Sequence, residues 1–424
     1  MAAHIAERLQ APGAKRMLAL DGGGTRGIIT IAFLLEIQQT LQTKLGRGDD
    51  FVLSDYFDLI GGTSVGSIIA TLLALGWRVE KIEKTFRDWA PEVFRARRIR
   101  GMFAARFDAK KLSQKIREVV GNAPMSSDKL KTGLCIVAKR ADTNSVWIMT
   151  NNPRSKYWRT RNGVIDNGDY QIHDLIRAST AAPTFFRRKD IPIHRFEDSK
   201  TEPMIGQFVD GAVSPHNNPS LQMFMLASIK GYNLGGAPID ELRSGNGKSW
   251  PLGPKTLLMI SVGTGNFPTT VKRRWIPNLE AIDALKSMIG DAEQLTLGLM
   301  QGMAVCRRYW HVDSDIGNLA TDAMFERPLL TFQRYDVRLT EKWLTGKNDG
   351  DVQRGPLVDA ALCDGRINLA QDLPQMQELI GTRVMDKLCT IAAAAAKEQV
   401  AAEDFPSCFD YSWSLKPYVC RFPT

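Results

Sequence analysis

The sequence has few cysteines, no long apolar run and no internal repeat. Its six cysteines, at positions 135, 306, 363, 389, 408 and 420, include no CxxC pair. That scatter argues against a disulfide framework or a zinc site and predicts reduced thiols. The most apolar stretch, residues 65–77, is shorter than the roughly 20 residues that a membrane helix needs. The first ten residues carry Glu7 and Arg8 and have no apolar core that would mark a secretory signal. These absences predict a cytoplasmic globular protein.

The composition is that of an ordinary globular chain with a moderate excess of positive charge. Of 424 residues, 44% are hydrophobic and 24% are charged, which excludes wholesale disorder and fibrous repeats. The 55 Lys and Arg against 46 Asp and Glu leave a net charge of +9. A basic module that binds nucleotides or nucleic acid is therefore one alternative, although the sequence contains no recognisable nucleic-acid-reading motif.

Hydrophobic patterning near the start of the chain predicts strand, glycine turn and helix, twice in succession. A short apolar segment at 16–20 precedes a glycine turn and a helical pattern over 28–45. The segment 58–60 likewise precedes glycines and an apolar helix over 65–75. Further helices are predicted at 79–90, 109–120, 357–371 and 375–402, and further strands at 134–138 and 257–262. This order predicts an α/β fold with a mostly parallel sheet and helices on its faces.

Two polar, glycine-bearing stretches suggest how the chain is divided. Residues 231–255 are rich in glycine and proline and read as an extended surface loop or insertion. Residues 346–356 form the better boundary, because helical patterns resume after them. We therefore expect a main domain at 15–345 and a C-terminal helical extension with an aromatic tail at 346–424.

The sequence Gly62-Thr-Ser64-Val-Gly66 matches G-x-S-x-G. A serine on a tight turn between strand and helix needs small neighbours two residues away on either side, so that its Oγ is lifted clear of the backbone. The helix N-terminus that follows favours developing negative charge. The motif is short, and a glycine-rich packing turn is the alternative interpretation, but the predicted strand before it and the helix after it fit a nucleophilic serine.

The run from Asp21 to Gly27 (DGGGTRG) is the more specific signal. Three consecutive glycines at a strand-to-helix junction expose backbone N–H groups that can bind a phosphate or an oxyanion. No Gly-Lys-Ser/Thr follows, which excludes a Walker loop. The spacing also fits G-x-G-x-x-G, so a dinucleotide site stays open, although the acids at 49–50 lie in a polar loop rather than at a strand end.

Together these blocks resemble the patatin-like phospholipase family. They are DGGGTRG at 21–27, GTSVG at 62–66, ASTAAP at 178–183, Asp210-Gly211 and SVGTG at 261–265. The resemblance covers residues 16–265 and implies a three-layer α/β/α hydrolase core with a mostly parallel central sheet. It also implies hydrolysis of fatty-acyl esters of membrane glycerophospholipids through an acyl-enzyme, without a metal or another cofactor.

The resemblance further implies a role for each residue that matches a family block. Ser64 would be the nucleophile and Asp210 the residue that activates it, as a catalytic dyad. Gly22, Gly23 and Gly24, with Arg26 nearby, would form the oxyanion hole, and Gly62 and Gly66 would shape the turn around the nucleophile. An aspartate with an ordinary pKa near 3.9 is a weak base at neutral pH, so we expect Asp210 to be partly buried.

Other interpretations of the same residues stay open. Asp-Gly is a common turn dipeptide, so Asp210-Gly211 could be an ordinary turn. His216 is a rival base for Ser64, and His173, His194 and His311 are others. A histidine base would make the chain a Ser-His hydrolase of another ester class. Arg26 could instead pair with a carboxylate and brace its loop. The acidic segment at 311–315 resembles metal-ligand spacing, but it reads better as a solvated turn.

The expected partners are a phospholipid membrane surface and a small regulatory ligand, with no nucleic acid. Arginines interleaved with apolar residues at 95–106 suit anionic headgroups, although a solvated arginine-rich face is an equal interpretation. The six aromatic residues within 405–424 could enter the membrane interface or dock on the core. Some bacterial members of the resembled family are switched on by cyclic nucleotides in anti-phage defence, and the basic segment 154–161 leaves room for such a ligand. The C-terminal extension could regulate the enzyme, join two copies in a homodimer or cap the core.

Overall fold

The structure is a computed structural model that describes most of the chain. It covers residues 3–94, 107–158, 163–183, 185–196, 201–229, 252–267, 277–313, 315–321, 324–346, 355–363, 365–378 and 381–410, with the backbone alone for residues 3 and 277–286. The arginine-rich segment 95–106, most of the stretch 231–255, part of the segment 154–161 and the tail beyond residue 410 lie outside the described residues.

A mixed, mostly parallel sheet forms the centre of the molecule. Its strands are β1 Lys15–Leu20, β2 Leu59–Thr63, β3 Gly133–Arg140, β4 Val146–Thr150, β5 Lys189–His194, β6 Met204–Asp210, β7 Leu257–Val262, β8 Ala304–Val305 and β9 Leu330–Tyr335. Hydrogen-bonded neighbours follow the path β5-β6-β3-β2-β1-β7-β9-β8, and β4 also pairs with β3. The run from β3 through β2, β1, β7 and β9 to β8 is parallel, whereas β4, β5 and β6 form antiparallel pairs.

Helices cover this sheet. They are α1 Ala3–Gln10, α2 Gly27–Lys44, α3 Leu53–Tyr56, α4 Val65–Ala74, α5 Val79–Val93, α6 Ala109–Val120, α7 Ile172–Ser179, α8 Ser220–Ser228, α9 Pro277–Gly302, α10 Glu341–Thr345, α11 Pro356–Cys363, α12 Leu369–Met376 and α13 Met385–Gln399. α4 is buried along nearly its whole length and packs on β2 and β3, and α7 packs on β3 and β6. Every residue of β1 and β7 is buried, as expected for central parallel strands. The α/β class and the mostly parallel sheet predicted from the sequence are confirmed.

The C-terminal region packs against the core instead of standing apart. α13 lies along α2, and the side chains of Phe405 and Phe409 are buried. The Nη1 of Arg16 on β1 donates to the Phe409 carbonyl at 3.2 Å, and the Tyr335 hydroxyl on β9 donates to Asp404 at 2.8 Å. The boundary placed at residue 346 stays a prediction. None of the described helices combines the length and the apolar character that crossing a membrane requires.

Helix boundaries in this region differ from those predicted. The helical pattern over 357–371 is broken after Cys363, because Asn368 caps a new helix by accepting the Gln371 N–H. The pattern over 375–402 is divided: residues 375–376 end α12, and α13 begins only at Met385 and ends at Gln399. Gly381 explains the second break: its N–H donates to Thr25 Oγ1 at 2.9 Å, and a Cβ there would lie 2.8 Å from the Gln375 carbonyl oxygen. The backbone therefore turns toward the glycine-rich loop instead of continuing the helix.

Candidate active site

Strand β3 aligns the two chain segments that carry the candidate catalytic pair. β2 pairs with β3 in parallel up to Thr63 opposite Val137, and β6 pairs antiparallel with Asp210 opposite Ala138. β4 pairs with β3 residues that also pair with β2 or with β6, so β4 lies on the opposite edge of β3. β2 and β6 therefore share one edge. β6 therefore begins to pair where β2 ends. Consequently the residue after Thr63, which is Ser64, lies beside Asp210.

Ser64 sits on a tight turn between β2 and α4. Its φ is +54°, a conformation that costs energy for a residue other than glycine. A Cβ on Gly62 would lie 2.2 Å from backbone atoms of Gly66, and a Cβ on Gly66 would lie 2.3 Å from the Leu20 carbonyl oxygen. Only glycine fits at these two positions, and the turn projects the Ser64 side chain into an open cavity at the start of α4.

The Ser64 hydroxyl donates a hydrogen bond of 2.6 Å to Oδ2 of Asp210. The other carboxylate oxygen, Oδ1, accepts the Ala212 N–H at 2.8 Å, so the carboxylate is held from both sides. Asp210 is only 2% exposed, and burial raises its pKa to about 7 even though the hydrogen bonds from Ser64 and Ala212 and the positive charge of Arg177 act in the opposite direction. Such a carboxylate is a much better proton acceptor near neutral pH than an ordinary aspartate.

The histidines considered as rival bases lie in other surroundings. The His216 carbonyl accepts a hydrogen bond of 2.8 Å from Thr63, while its Nδ1 has no partner among the described residues. The Nδ1 of His173 lies 3.2 Å from Asp174, and the His311 carbonyl accepts from Arg338. His194 packs against the ring of Phe196. None of the four rings hydrogen-bonds to Ser64 within the part of the chain that the structure describes.

The glycine-rich loop lies beside this pair, and its three glycines differ. The Gly22 N–H donates to the Asn217 carbonyl at 3.2 Å, whereas the N–H groups of Gly23 and Gly24 have no acceptor among the described residues. The Gly22 carbonyl accepts from Thr264 Oγ1 at 2.9 Å. A Cβ on Gly23 would lie 2.2 Å from that same Oγ1, so the packing of Thr264 requires glycine there. The structure thus leaves two of the three predicted N–H donors available.

Arg26 follows the glycines and lines the same cavity. Its side chain is 8% exposed, and its guanidinium lies 5.0 Å from the centre of the Phe267 ring. Burial lowers the pKa of Arg26 to about 10, although the charges of Glu293, Asp336 and Asp21 partly oppose that effect. Its Nε and Nη1 atoms have no hydrogen-bond partner in the described residues. The loop-bracing ion pair considered from the sequence is therefore not formed with any described carboxylate.

The cavity around Ser64 has a volume of about 500 Å³ and mainly apolar walls. Aromatic and aliphatic side chains line it, including Phe86, Trp89, Val93, Phe94, Phe185 and Phe186. Its polar atoms belong to Ser64, Asp210, the glycine-rich loop and a few neighbours, among them Glu293 of α9. A cavity of this kind accommodates a hydrocarbon chain whose polar end meets the serine.

Sequence reasoning missed two supporting features. Ser179 Oγ accepts the Ser64 N–H at 2.8 Å and donates to the Val137 carbonyl at 2.6 Å, which fixes the turn to β3. The block ASTAAP contained this serine but gave it no role. The other feature is the guanidinium of Arg334.

Arg334 holds three acids behind the glycine-rich loop, of which Asp21 and Asp336 are buried and Glu293 is partly exposed. Its Nη2 donates to Asp21 at 2.6 Å, Glu293 at 2.7 Å and Asp336 at 2.8 Å. Burial raises the pKa of both Asp21 and Glu293. Because Asp21 immediately precedes the glycines, this cluster ties the loop to β9 and α9, and no local pattern in the sequence could reveal it.

In the acidic segment noted from the sequence, Asp313 forms a turn with the residues that follow it. Asp313 accepts the backbone N–H groups of Asp315 at 2.9 Å and Ile316 at 2.7 Å. Among the described residues, no group of three or more His, Cys, Asp or Glu side chains is arranged to hold a metal ion.

Comparison with known proteins agrees with the resemblance seen in the motifs. Residues 18–224, just under half of the chain, match the model of the family described as patatin-like phospholipase. The match contains Ser64, Asp210 and the glycine-rich loop.

Three relatives, two from bacteria and one from potato, illustrate the similarity. A cGAMP-activated phospholipase of Vibrio cholerae is 34% identical over 40% of this chain and 49% of its own length. A cUMP-AMP-activated phospholipase of Escherichia coli is 35% identical over 42% of this chain and 50% of its own. Patatin-T5 of Solanum tuberosum is 28% identical over 59% of this chain and 60% of its own. The chain thus spans about half to three fifths of the length of these relatives.

Proposed function

We propose that this chain is a serine acyl hydrolase that releases fatty acids from membrane glycerophospholipids through a Ser64–Asp210 dyad. The observation that carries the proposal is the 2.6 Å hydrogen bond from Ser64 Oγ to a buried carboxylate whose pKa is raised to about 7. The apolar cavity and the family match at 18–224 support a lipid ester as the substrate.

In the first half of the reaction, Ser64 Oγ attacks the ester carbonyl carbon while Asp210 accepts its proton. The carbonyl π electrons move onto the oxygen, and the N–H groups of Gly23 and Gly24 stabilise this oxyanion. Gly22 would contribute by shaping the loop, since its own N–H is bound to Asn217. The ester C–O bond then breaks, and the leaving alkoxide, part of a lysophospholipid, takes the proton from Asp210.

In the second half, water hydrolyses the acyl-enzyme. Asp210 again accepts a proton, now from the attacking water, and the collapse of the tetrahedral intermediate expels Ser64 Oγ, which regains that proton. The fatty acid leaves as the product. Arg26 lines this cavity, and its Nε and Nη1 have no hydrogen-bond partner among the described residues, so it adds positive charge near the developing anion.

We further propose that a cyclic nucleotide activates the enzyme and that it serves bacterial anti-phage defence. The names of the bacterial relatives, cGAMP-activated and cUMP-AMP-activated phospholipase, support this regulation. An activated enzyme would act from the cytoplasm on a membrane surface that it contacts peripherally. A homodimer and the role of the C-terminal extension stay predictions.

Fatty-acid release from vesicles of phosphatidylethanolamine and phosphatidylglycerol tests the proposal, with and without cyclic dinucleotides. Ser64→Ala is expected to lower the rate by at least about 10³-fold, because the nucleophile is removed. The matched control is Ser228→Ala, since Ser228 Oγ donates to the Met225 carbonyl within α8, at 3.2 Å, and makes no other side-chain hydrogen bond with the described residues. Full activity in Ser64→Ala would refute the proposal.

Covalent labelling supplies a readout that does not depend on turnover. A fluorophosphonate probe is expected to modify Ser64 of the wild-type protein, and peptide mass spectrometry identifies the modified residue. Labelling should be lost in Ser64→Ala and retained in Ser228→Ala. A different labelled serine would move the nucleophile elsewhere.

A further inference from the structure

A second concave surface, which we call the basic groove, lies apart from the catalytic cavity. It has a volume of about 700 Å³ and is formed by α6, α7 and the segment that leads into β5. Six basic side chains line it: Lys110, Arg117, Arg177, Arg187, Arg188 and Lys189. Among the described residues that line it, Glu118 is the single acidic one.

Few of these positive charges are neutralised. Lys189 pairs with Asp174 at 2.6 Å, and Arg188 donates to the neutral Gln207 at 3.2 Å. Lys110, Arg117 and Arg187 have no acidic partner within 4 Å among the described residues. Cations that outnumber the carboxylates on a concave surface repel one another, and an anion bound among them relieves that repulsion.

The burial of Arg177 distinguishes the basic groove from an ordinary basic surface. Its side chain is 4% exposed, its Nη2 donates to the Arg187 carbonyl at 2.6 Å, and its Nη1 has no partner in the described part of the chain. Burial lowers the pKa of Arg177 to about 10, although Asp210 partly offsets that effect. A buried guanidinium N–H without an acceptor is costly, and phosphate oxygens are among its best partners.

We propose that the basic groove binds a phosphate-diester ligand through Arg177, Arg117 and Arg187 and thereby regulates the acyl hydrolase proposed above. The ligand class follows from the charge and from the size, since a groove of about 700 Å³ is larger than one inorganic phosphate needs and suits a molecule with several polar groups. A soluble cyclic dinucleotide and the headgroup of an anionic phospholipid share this phosphate-diester chemistry.

The same helix connects the groove to the catalytic pair. Arg177 and Ser179 lie two residues apart on α7, and Ser179 holds the Ser64 N–H. The guanidinium of Arg177 also lies 5.4 Å from the centre of the Phe186 ring, and Phe186 lines the catalytic cavity. A ligand that moves or orders Arg177 therefore acts on a wall of that cavity and on the support of the Ser64 turn.

The test measures binding in the Ser64→Ala background, so that its outcome does not depend on whether the chain hydrolyses lipids. Isothermal titration calorimetry with 3′,3′-cyclic GMP–AMP forms one arm, and co-sedimentation with phosphatidylglycerol vesicles forms the other. The groove variant is Arg117→Ala with Arg187→Ala, both exposed positions. The matched control is Lys111→Ala, an exposed cation of α6 that does not line the groove.

At least one probe is expected to bind, with a dissociation constant that rises at least about tenfold in the groove variant and stays unchanged in Lys111→Ala. Binding of the dinucleotide identifies a soluble ligand, and binding of vesicles alone identifies a headgroup. The proposal is overturned if neither probe binds, or if the groove variant binds as tightly as the Lys111→Ala control.

Discussion

The two ends of the five-residue strand β2 carry buried aspartates in opposite electrostatic settings. Asp58 immediately precedes the strand, and Asp210 lies beside Ser64, which immediately follows it. Both carboxylates are 2% exposed. Burial raises the pKa of Asp210 to about 7, whereas the pKa of Asp58 is lowered to about 2.

Neighbouring cations explain the difference. Burial alone would raise the pKa of Asp58 as well, but the positive charges of Arg16, Arg8 and Lys15 outweigh it. Arg16 donates to Asp58 from Nε at 3.0 Å and from Nη2 at 2.9 Å, and Arg8 donates from Nε at 3.1 Å. Asp210 has no cation at bonding distance among the described residues. One end of the strand therefore holds a permanently charged anchor, and the other holds a carboxyl group that can exchange a proton near neutral pH.

The sharpest way to test this contrast is Asp210→Asn. The amide keeps the shape of the side chain but cannot accept the Ser64 proton, so fatty-acid release should fall by about 10³-fold or more. Stability should be unchanged or higher at pH 7, because a buried charge is removed. Activity and urea unfolding are measured on the same preparation. Retained activity would mean that another group activates Ser64, and His216→Ala would be the next variant.

Asp58→Asn should have the reverse phenotype. Removing this charge leaves the buried guanidiniums of Arg8 and Arg16 without their anion, and breaking such a cluster costs about 3–5 kcal/mol. The free energy of unfolding from urea melts measures the loss. Any remaining folded protein should still be labelled at Ser64 by the fluorophosphonate probe. A loss below about 1 kcal/mol would show that Asp58 is not the anchor of this end of the strand.

The pH dependence of stability should have opposite signs for the two residues. The folded pKa of Asp58 is lowered, so its contribution is present above about pH 4 and is lost as the pH falls toward 2, by about 2 kcal/mol. The folded pKa of Asp210 is raised, so its contribution is present below about pH 4 and is lost as the pH rises toward 7.

Urea melts between pH 3 and pH 8 separate these contributions. Relative to the wild type, Asp210→Asn should gain stability as the pH rises from 4 to 7. The deficit of Asp58→Asn should shrink as the pH falls below 4. Parallel curves for both variants and the wild type would contradict the assigned pKa directions.

How far the sequence predicts this site depends on whether a residue acts through local or tertiary structure. Ser64 and its glycines are local: strand, turn and helix are adjacent in the chain, so the motif and its context were both visible. Asp210 belongs to a common dipeptide, and only the register of β6 against β3 places it beside Ser64. The resemblance to known proteins, rather than the pattern, singled it out.

The parts that the sequence could not reveal depend on contacts between distant segments. Arg334 reaches Asp21 across 313 residues of chain, and nothing near either residue marks the pair. Likewise, the arginines at 177, 187 and 188 look like ordinary surface charges in the sequence. Only the packing of α7 against the sheet shows that Arg177 is buried while Arg187 and Arg188 are exposed.

The smallest expected effect concerns the distant positive charge of Arg177 on Asp210. Because Asp210 must be ionised to accept a proton, kcat/KM for a soluble p-nitrophenyl ester should rise about tenfold per pH unit and level off above about pH 7. Arg177 lowers the pKa of Asp210, and its effect is weaker than that of burial or of the hydrogen bonds from Ser64 and Ala212. Arg177→Met should therefore move the rising, acidic part of the kcat/KM–pH profile to higher pH by less than about one unit.

Arg177→Lys separates this charge effect from packing. The lysine keeps a positive charge on α7 but cannot reproduce the hydrogen bond to the Arg187 carbonyl together with the contact to Phe186. If only the charge of Arg177 affects the pKa of Asp210, Arg177→Lys should have the pH profile of the wild type, whereas Arg177→Met should have a shifted one. An equal shift in both variants would mean that Arg177 acts by positioning α7 and Ser179, and the contrast between Asp58 and Asp210 would then rest on near neighbours alone.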